Sequence, residues 1–174
     1  MSAIVILHYH LHPGGVTRII ESQVRGLLAE NPAARVVMLT GEKNTADIEL
    51  PIELIVCDAL NYAPHNESDA HYRTMLQSIQ QILADNIAPG DIVHAHNINL
   101  GKNPVLTLAV HELAQQGVGV VYHCHDFSED RPANDQFLQN VIQRCFDRYV
   151  QHVLYPDLDN VSFVVLNSAD KARL

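Results

Sequence analysis

Ala3-Ile4-Val5-Ile6-Leu7 runs without a polar residue into His8-Tyr9-His10-Leu11-His12-Pro13-Gly14-Gly15, and a helical pattern begins at Val16. A short, unbroken apolar run is what a strand covered on both faces requires. His12-Pro13-Gly14-Gly15 then has to be a turn. Beyond it Ile19, Ile20, Val24, Leu27 and Leu28 recur at helical spacing, and Asn31-Pro32 closes the segment because the residue before proline avoids the α region. The chain therefore opens on one β-α unit.

The same rhythm continues outward from it. Residues 35–40 and 52–56 read as the second and third strands, joined by a polar connection over 41–50. Tyr72, Met75, Leu76, Ile79, Ile82 and Leu83 share one helical stripe, which Pro89-Gly90 ends. Asp91-Ile92-Val93-His94-Ala95-His96 is the fourth strand. Asn103-Pro104 combines an N-cap residue with proline at the first helical position, and the stripe Leu106, Ala109, Val110, Leu113, Ala114 runs to Gly117. Residues 118–123 form the fifth strand. One long helix is expected over 135–154, with Leu138, Val141, Ile142, Cys145, Phe146, Tyr149 and Val153 facing inward, and a sixth strand over 162–166.

Strands alternating with helices imply right-handed crossovers. The expected fold is a doubly wound α/β domain with a mainly parallel sheet and helices on both faces. At 174 residues and 47% hydrophobic, the chain suits one such domain spanning residues 1–174. Asn167-Ser168 begins a capped helix of little more than one turn, too short to be stable alone. This suggests either a boundary within a longer protein or a frayed tail.

Twenty acidic against 11 basic residues give a formal net charge of −9, which opposes binding to nucleic acid or to an anionic membrane surface. No stretch approaches the roughly 20 apolar residues of a membrane span, and the opening lacks a cationic leader. Three cysteines, with no C-x-x-C spacing, argue against a disulfide framework and against a cysteine zinc site. The cytoplasm is the expected compartment.

Seven of the 11 histidines fall at three strand ends: His8, His10 and His12; His94 and His96; His123 and His125. The C-terminal ends of strands in an open α/β sheet line the ligand crevice, so these residues are expected to converge. Alternation puts His94 and His96 on one side of their strand, and His123 and His125 likewise. Gly14-Gly15 precedes a helix N-terminus, whose free N–H groups attract anions. After the fifth strand, Asp126 can orient a protonated neighbour, His125 can bond a substrate hydroxyl, and Arg131 can meet an anionic group. Each feature also has a plain structural explanation: hydrogen-bonded core histidines, an ordinary tight turn, a polar connecting loop. Neither G-x-G-x-x-G nor a P-loop motif is present.

Three passages carry a family resemblance: His8-Tyr9-His10-Leu11-His12-Pro13-Gly14-Gly15-Val16, Asp91-Ile92-Val93-His94-Ala95-His96-Asn97, and His123-Cys124-His125-Asp126-Phe127, followed by Val164-Val165-Leu166-Asn167-Ser168. In order and spacing they resemble the N-terminal domain of family 4-like retaining glycosyltransferases of the GT-B fold. The resemblance implies transfer of a sugar from a nucleotide-diphosphate donor to an acceptor, with retention at the anomeric carbon. It implies an acceptor-side, Rossmann-like half whose partner, a C-terminal nucleotide-sugar-binding domain, is absent here, so that the isolated chain is inactive. By the same resemblance Gly14 and Gly15 match the glycine turn, and His125 the histidine that contacts the donor sugar, followed by Asp126. His12, His96 and Arg131 join them as candidate substrate-binding residues. No tightly bound cofactor and no metal is expected.

Two other readings stay open. H-x-H pairs followed by an aspartate can ligate zinc or manganese and activate water, as in a metal-dependent hydrolase, although no matching set of carboxylates accompanies them. A noncatalytic domain that holds a glycan or a partner would use the same crevice without turnover.

Overall fold

The computed structural model describes residues 2–42 and 50–174; most of the polar connection expected over 41–50 lies outside them. Six strands form one sheet: β1 (Ala3–His8), β2 (Arg35–Thr40), β3 (Glu53–Val56), β4 (Ile92–His96), β5 (Gly119–Cys124) and β6 (Val161–Val165). Their order across the sheet is β3-β2-β1-β4-β5-β6, and every neighbouring pair is parallel. The order reverses between β1 and β4. There successive connections leave in opposite directions and open a crevice.

The doubly wound α/β architecture is thus as expected, with unequal layers. Helix α1 (Gly15–Glu30) covers one face, packing Ile20 and Val24 with Leu11 on Ile6, Val36 and Met38. Opposite lie α2 (Asp69–Asn86) and α3 (Pro104–Gln115). Ile79, Leu83, Leu106, Ala109 and Val110 meet Val5, Leu7, Val37, Leu39, Val93, Ala95, Val120 and Tyr122 in the main core there. Asn103 caps α3 as its sequence predicts, accepting from Leu106 N–H at 2.9 Å, and its amide also donates to Ala59 O and Asn61 O. At the opposite rim the Asp91 carboxylate accepts from Ala3 N–H at 2.6 Å and from Ala88 N–H at 2.8 Å, anchoring the first strand 88 residues from its own position.

The single long helix expected over 135–154 is not formed. Helix α4 (Pro132–Leu138) starts earlier, at a proline suited to the first turn, and passes into a π-helical stretch, Gln139–Cys145. Asp147 then takes a left-handed conformation (φ 53°), and α5 (Val150–Leu154) follows. Tyr149, expected to face inward, is 65% exposed. The break has a packing cause. It turns Val150, Val153 and Leu154 back onto Leu108, Leu138 and Ile142 as a separate apolar cluster, which a straight helix would carry away. The closing helix α6 (Ser168–Lys171) is capped by Asn167, whose side chain accepts from Asp170 N–H at 2.9 Å.

Among the described residues no helix is long and apolar enough to cross a membrane. Cys57, Cys124 and Cys145 are unpaired.

Candidate functional site

The α1-side face of the sheet changes character at β4. In register, Ile6 of β1 is followed across by His94, and His96 by His123. Apolar residues under α1 thus give way to imidazoles toward the crevice between β1 and β4.

The rings form a contiguous array. His94 and His96 stack with centroids 4.6 Å apart, His96 and His123 with 4.8 Å, and His123 and His125 with 4.3 Å. Two ring-to-ring hydrogen bonds cross the strands, His94 Nε2 to His123 Nδ1 at 3.2 Å and His96 Nδ1 to His125 Nε2 at 3.0 Å. His8 Nδ1 reaches His96 O at 3.0 Å, so donates to it. From α1, Gln23 Nε2 contacts His123 Nδ1 at 3.3 Å. The three strand-end groups anticipated from the sequence therefore do converge.

Burial keeps the array neutral. It draws His8, His94 and His125 from the ordinary 6.5 down to about 4 and His96 further, with like-charge repulsion from neighbouring imidazoles adding to the effect. Asp126 pulls His125 the other way but is outweighed by burial and His123. At neutral pH His125 is therefore a neutral hydrogen-bonding group. Its Nε2 is engaged by His96, and among the described residues Nδ1 has no protein hydrogen bond. His96 itself is wholly buried, so it holds His125 in place and does not line the open surface.

Asn97, quoted above only as part of a motif, fixes the main chain of this region. It sits in the left-handed region (φ 60°), and its Oδ1 accepts from both His125 N–H (3.1 Å) and Asp126 N–H (3.0 Å). Its own N–H donates to His123 O at 2.8 Å, and its carbonyl accepts from Tyr9 OH at 3.2 Å, linking the ends of β1, β4 and β5. Asn99 adds a bond from its amide to Asp126 O. The signal was available: asparagine directly after a strand is one of the few residues that tolerates this conformation. Gln23 gave no such signal, since only the fold brings α1 over His123.

The remaining candidates lie around the mouth. His12 stacks on His10 at 4.2 Å and pairs with Glu42 at 3.1 Å, while Arg131 pairs with Asp126 at 3.3 Å. Both pairs are largely exposed and worth little to stability. Gly14 and Gly15 are exposed, and the turn needs no glycine-only geometry: Gly14 is fully extended. A Cβ at Gly15 would meet nothing within 4 Å, and one at Gly14 only His12 O at 3.9 Å. What the pair supplies is bare backbone at an α1 N-terminus that has neither a side-chain cap nor an acidic residue in its first turn. Beside the mouth, Lys102 and Arg131 line one concavity of about 370 Å³ with Leu100 and Asn134.

No family model matches the chain. Mannosylglucosyl-3-phosphoglycerate synthase of Petrotoga mobilis is 29% identical over 185 aligned positions, a match that covers all of this chain. The chain is related in sequence to a glycosyltransferase. It spans 34% of that relative's length, about one third. Among solved structures, the N-terminal domain of Candida albicans trehalose-6-phosphate phosphatase is similar over 95% of this chain and 48% of that one, with 13% identity and a TM-score of 0.46.

Proposed function

We propose that the protein is the acceptor-side, N-terminal domain of a retaining GT-B glycosyltransferase of the family 4-like kind, which moves a sugar from a nucleotide-diphosphate donor. The observation that carries this reading is the sequence match to the Petrotoga synthase, which runs through every strand end of the crevice. The site chemistry supports it. His125, neutral and held by His96 and by Asn97, offers a fixed hydrogen bond to a donor-sugar hydroxyl, and such pre-positioning is where transferases gain rate. The uncapped start of α1 at Gly14-Gly15 favours an approaching anion.

The relative's name describes a product with a phosphoglycerate group. We assign the corresponding acidic end of the acceptor to Lys102 and Arg131 in their shared concavity, with His12 as a further contact. Asp126 holds Arg131 there and keeps its own carboxylate near His125. Stabilisation of the leaving diphosphate and most donor contacts fall to a second domain, for which the relative's additional length provides room. This domain by itself is expected to bind acceptor without transferring sugar.

Calorimetric titration of the protein with a glucosylated 3-phosphoglycerate is expected to show binding that Arg131→Ala weakens about tenfold, the worth of one charge-assisted contact. Fused to the remaining length of the Petrotoga relative, the protein is expected to transfer sugar from a nucleotide-diphosphate donor, and His125→Ala to lower kcat by about 100-fold or more. Absence of acceptor binding, together with a fusion whose transfer ignores His125→Ala, would refute the assignment.

A further inference from the structure

We propose that His94, His96 and His123 together bind one divalent transition-metal cation at the floor of the crevice. One ring nitrogen from each of the three lies within 4.8 Å of the others. A tetrahedral zinc site with N ligands at 2.0–2.1 Å has ligand–ligand separations of about 3.4 Å. His94 Nε2 and His123 Nδ1, at 3.2 Å, stand near that spacing, now as a hydrogen-bonded pair that the ion replaces. The third nitrogen has to close in by about 1.4 Å, which a change in imidazole χ2, a broad and soft torsion, can supply.

Two buried polar atoms in this cluster have no protein partner among the described residues: His96 Nε2, in a residue with 0% exposure, and Gln23 Oε1, whose amide nitrogen touches His123. Buried polar groups are rarely left unsatisfied, and two in one cluster mark a centre whose bonding is incomplete. The protonation states suit a cation. Because Gln23 Nε2 donates to His123 Nδ1, that nitrogen carries its lone pair. The His94 proton, now on Nε2 in the bond to His123, shifts to Nδ1, so the ring stays neutral and binding releases no proton. His94 and His96 are nearly parallel (3°), and lone pairs in parallel ring planes do not meet. His94, the half-buried member, therefore has to turn as the ion enters.

The donor set defines the ion. Three neutral imidazoles without a carboxylate suit zinc, cobalt, nickel or copper and leave magnesium and calcium, which want oxygen ligands, unbound. Three protein ligands also leave a coordination position open. The inference concerns binding of the ion. It stands independently of sugar transfer.

The test is a cobalt titration of untagged, chelator-treated protein followed by visible absorption. One equivalent is expected to bind with the ligand-field bands of a low-coordinate nitrogen site, and zinc, but not magnesium, to displace it. His94→Gln, at a half-buried position, is expected to weaken binding about tenfold or more while keeping the wild-type melting temperature. His123→Gln is expected to abolish the bands, and the surface changes His71→Gln and His152→Gln to leave them intact. No bands at millimolar cobalt, or identical titrations for wild type and His94→Gln, would overturn the proposal and leave a bridging water as what satisfies the orphaned atoms.

Discussion

Asn97 makes five hydrogen bonds: two through Oδ1, one through N–H and two through its carbonyl, which accepts from Tyr9 OH and Leu100 N–H. Asn97→Ala keeps the backbone but strands the N–H groups of His125 and Asp126 and places alanine at positive φ. The expected loss is about 3 kcal/mol by urea denaturation, from two unsatisfied donors and the left-handed penalty. Asn97→Gly, which relieves φ alone, should recover roughly 1 kcal/mol of it, and Asn97→Asp, which restores the acceptor, most of the remainder. If glycine rescued fully, the hydrogen bonds would be ornamental. At this scale the sequence was partly readable. His96, His125 and Asp126 follow from their position at strand ends, whereas the importance of Asn97 depends on which loops it faces, and no local pattern encodes that.

At the scale of elements, the turn after β4 must let α4 approach closely. Gly101 lies at φ 80°, and a Cβ there would come within 2.7 Å of Leu138 Cδ1 and 3.0 Å of Asn134 O. Gly101→Ala therefore combines backbone strain with overpacking and is expected to cost about 3 kcal/mol. A melting temperature lowered by less than a degree would show that α4 shifts freely. The same junction explains what the apolar periodicity hid. The inner strands β1, β2, β4 and β5 are mostly buried, and α1 to α3 carry apolar stripes that end near Pro, Gly or Asn, so spacing located them closely. The run after Pro132 has helical spacing throughout, but its first half packs against the main core and its second half against Leu108, and a straight rod cannot serve both. The π-helical turn and Asp147 reconcile the two demands, and nothing in the spacing itself announces them.

Across the whole molecule, the imidazole array couples stability to pH. In metal-free protein, His8 is held at about 4 while its unfolded counterpart titrates near 6.5. The unfolded chain therefore takes up protons first as pH falls. Stability is full above about 6.5 and declines as pH drops toward 4, below which this contribution is spent. His8 alone corresponds to roughly 3 kcal/mol over that window, and its neighbours His94 and His125 act in the same direction. Urea midpoints at pH 7 and pH 5 should fall markedly for the wild type and less for His8→Asn; a flat profile between them would contradict the assignment of neutral, buried imidazoles. The fold class was legible because the inner strands of a parallel sheet are covered on both faces, which writes apolar runs such as 3–7 and 36–39 into the sequence. The unequal covering was not, since one helix over β1 and β2 leaves no mark on the helices opposite.

The anchoring of β1 also bears on how the polypeptide is made. Strand β1 is translated before β2 and β4, yet in the finished sheet it lies between them. Its start is tethered to Asp91, 88 residues downstream. Until that stretch has been synthesised, β1 can join only β2, and its other edge stays open, apolar and ready to pair with any strand that passes. Non-local parallel pairing of this kind is slow and aggregation-prone. The interval between translating β1 and translating β4 is therefore when this edge is open to wrong pairing, and slower elongation across it is expected to lower the folded yield.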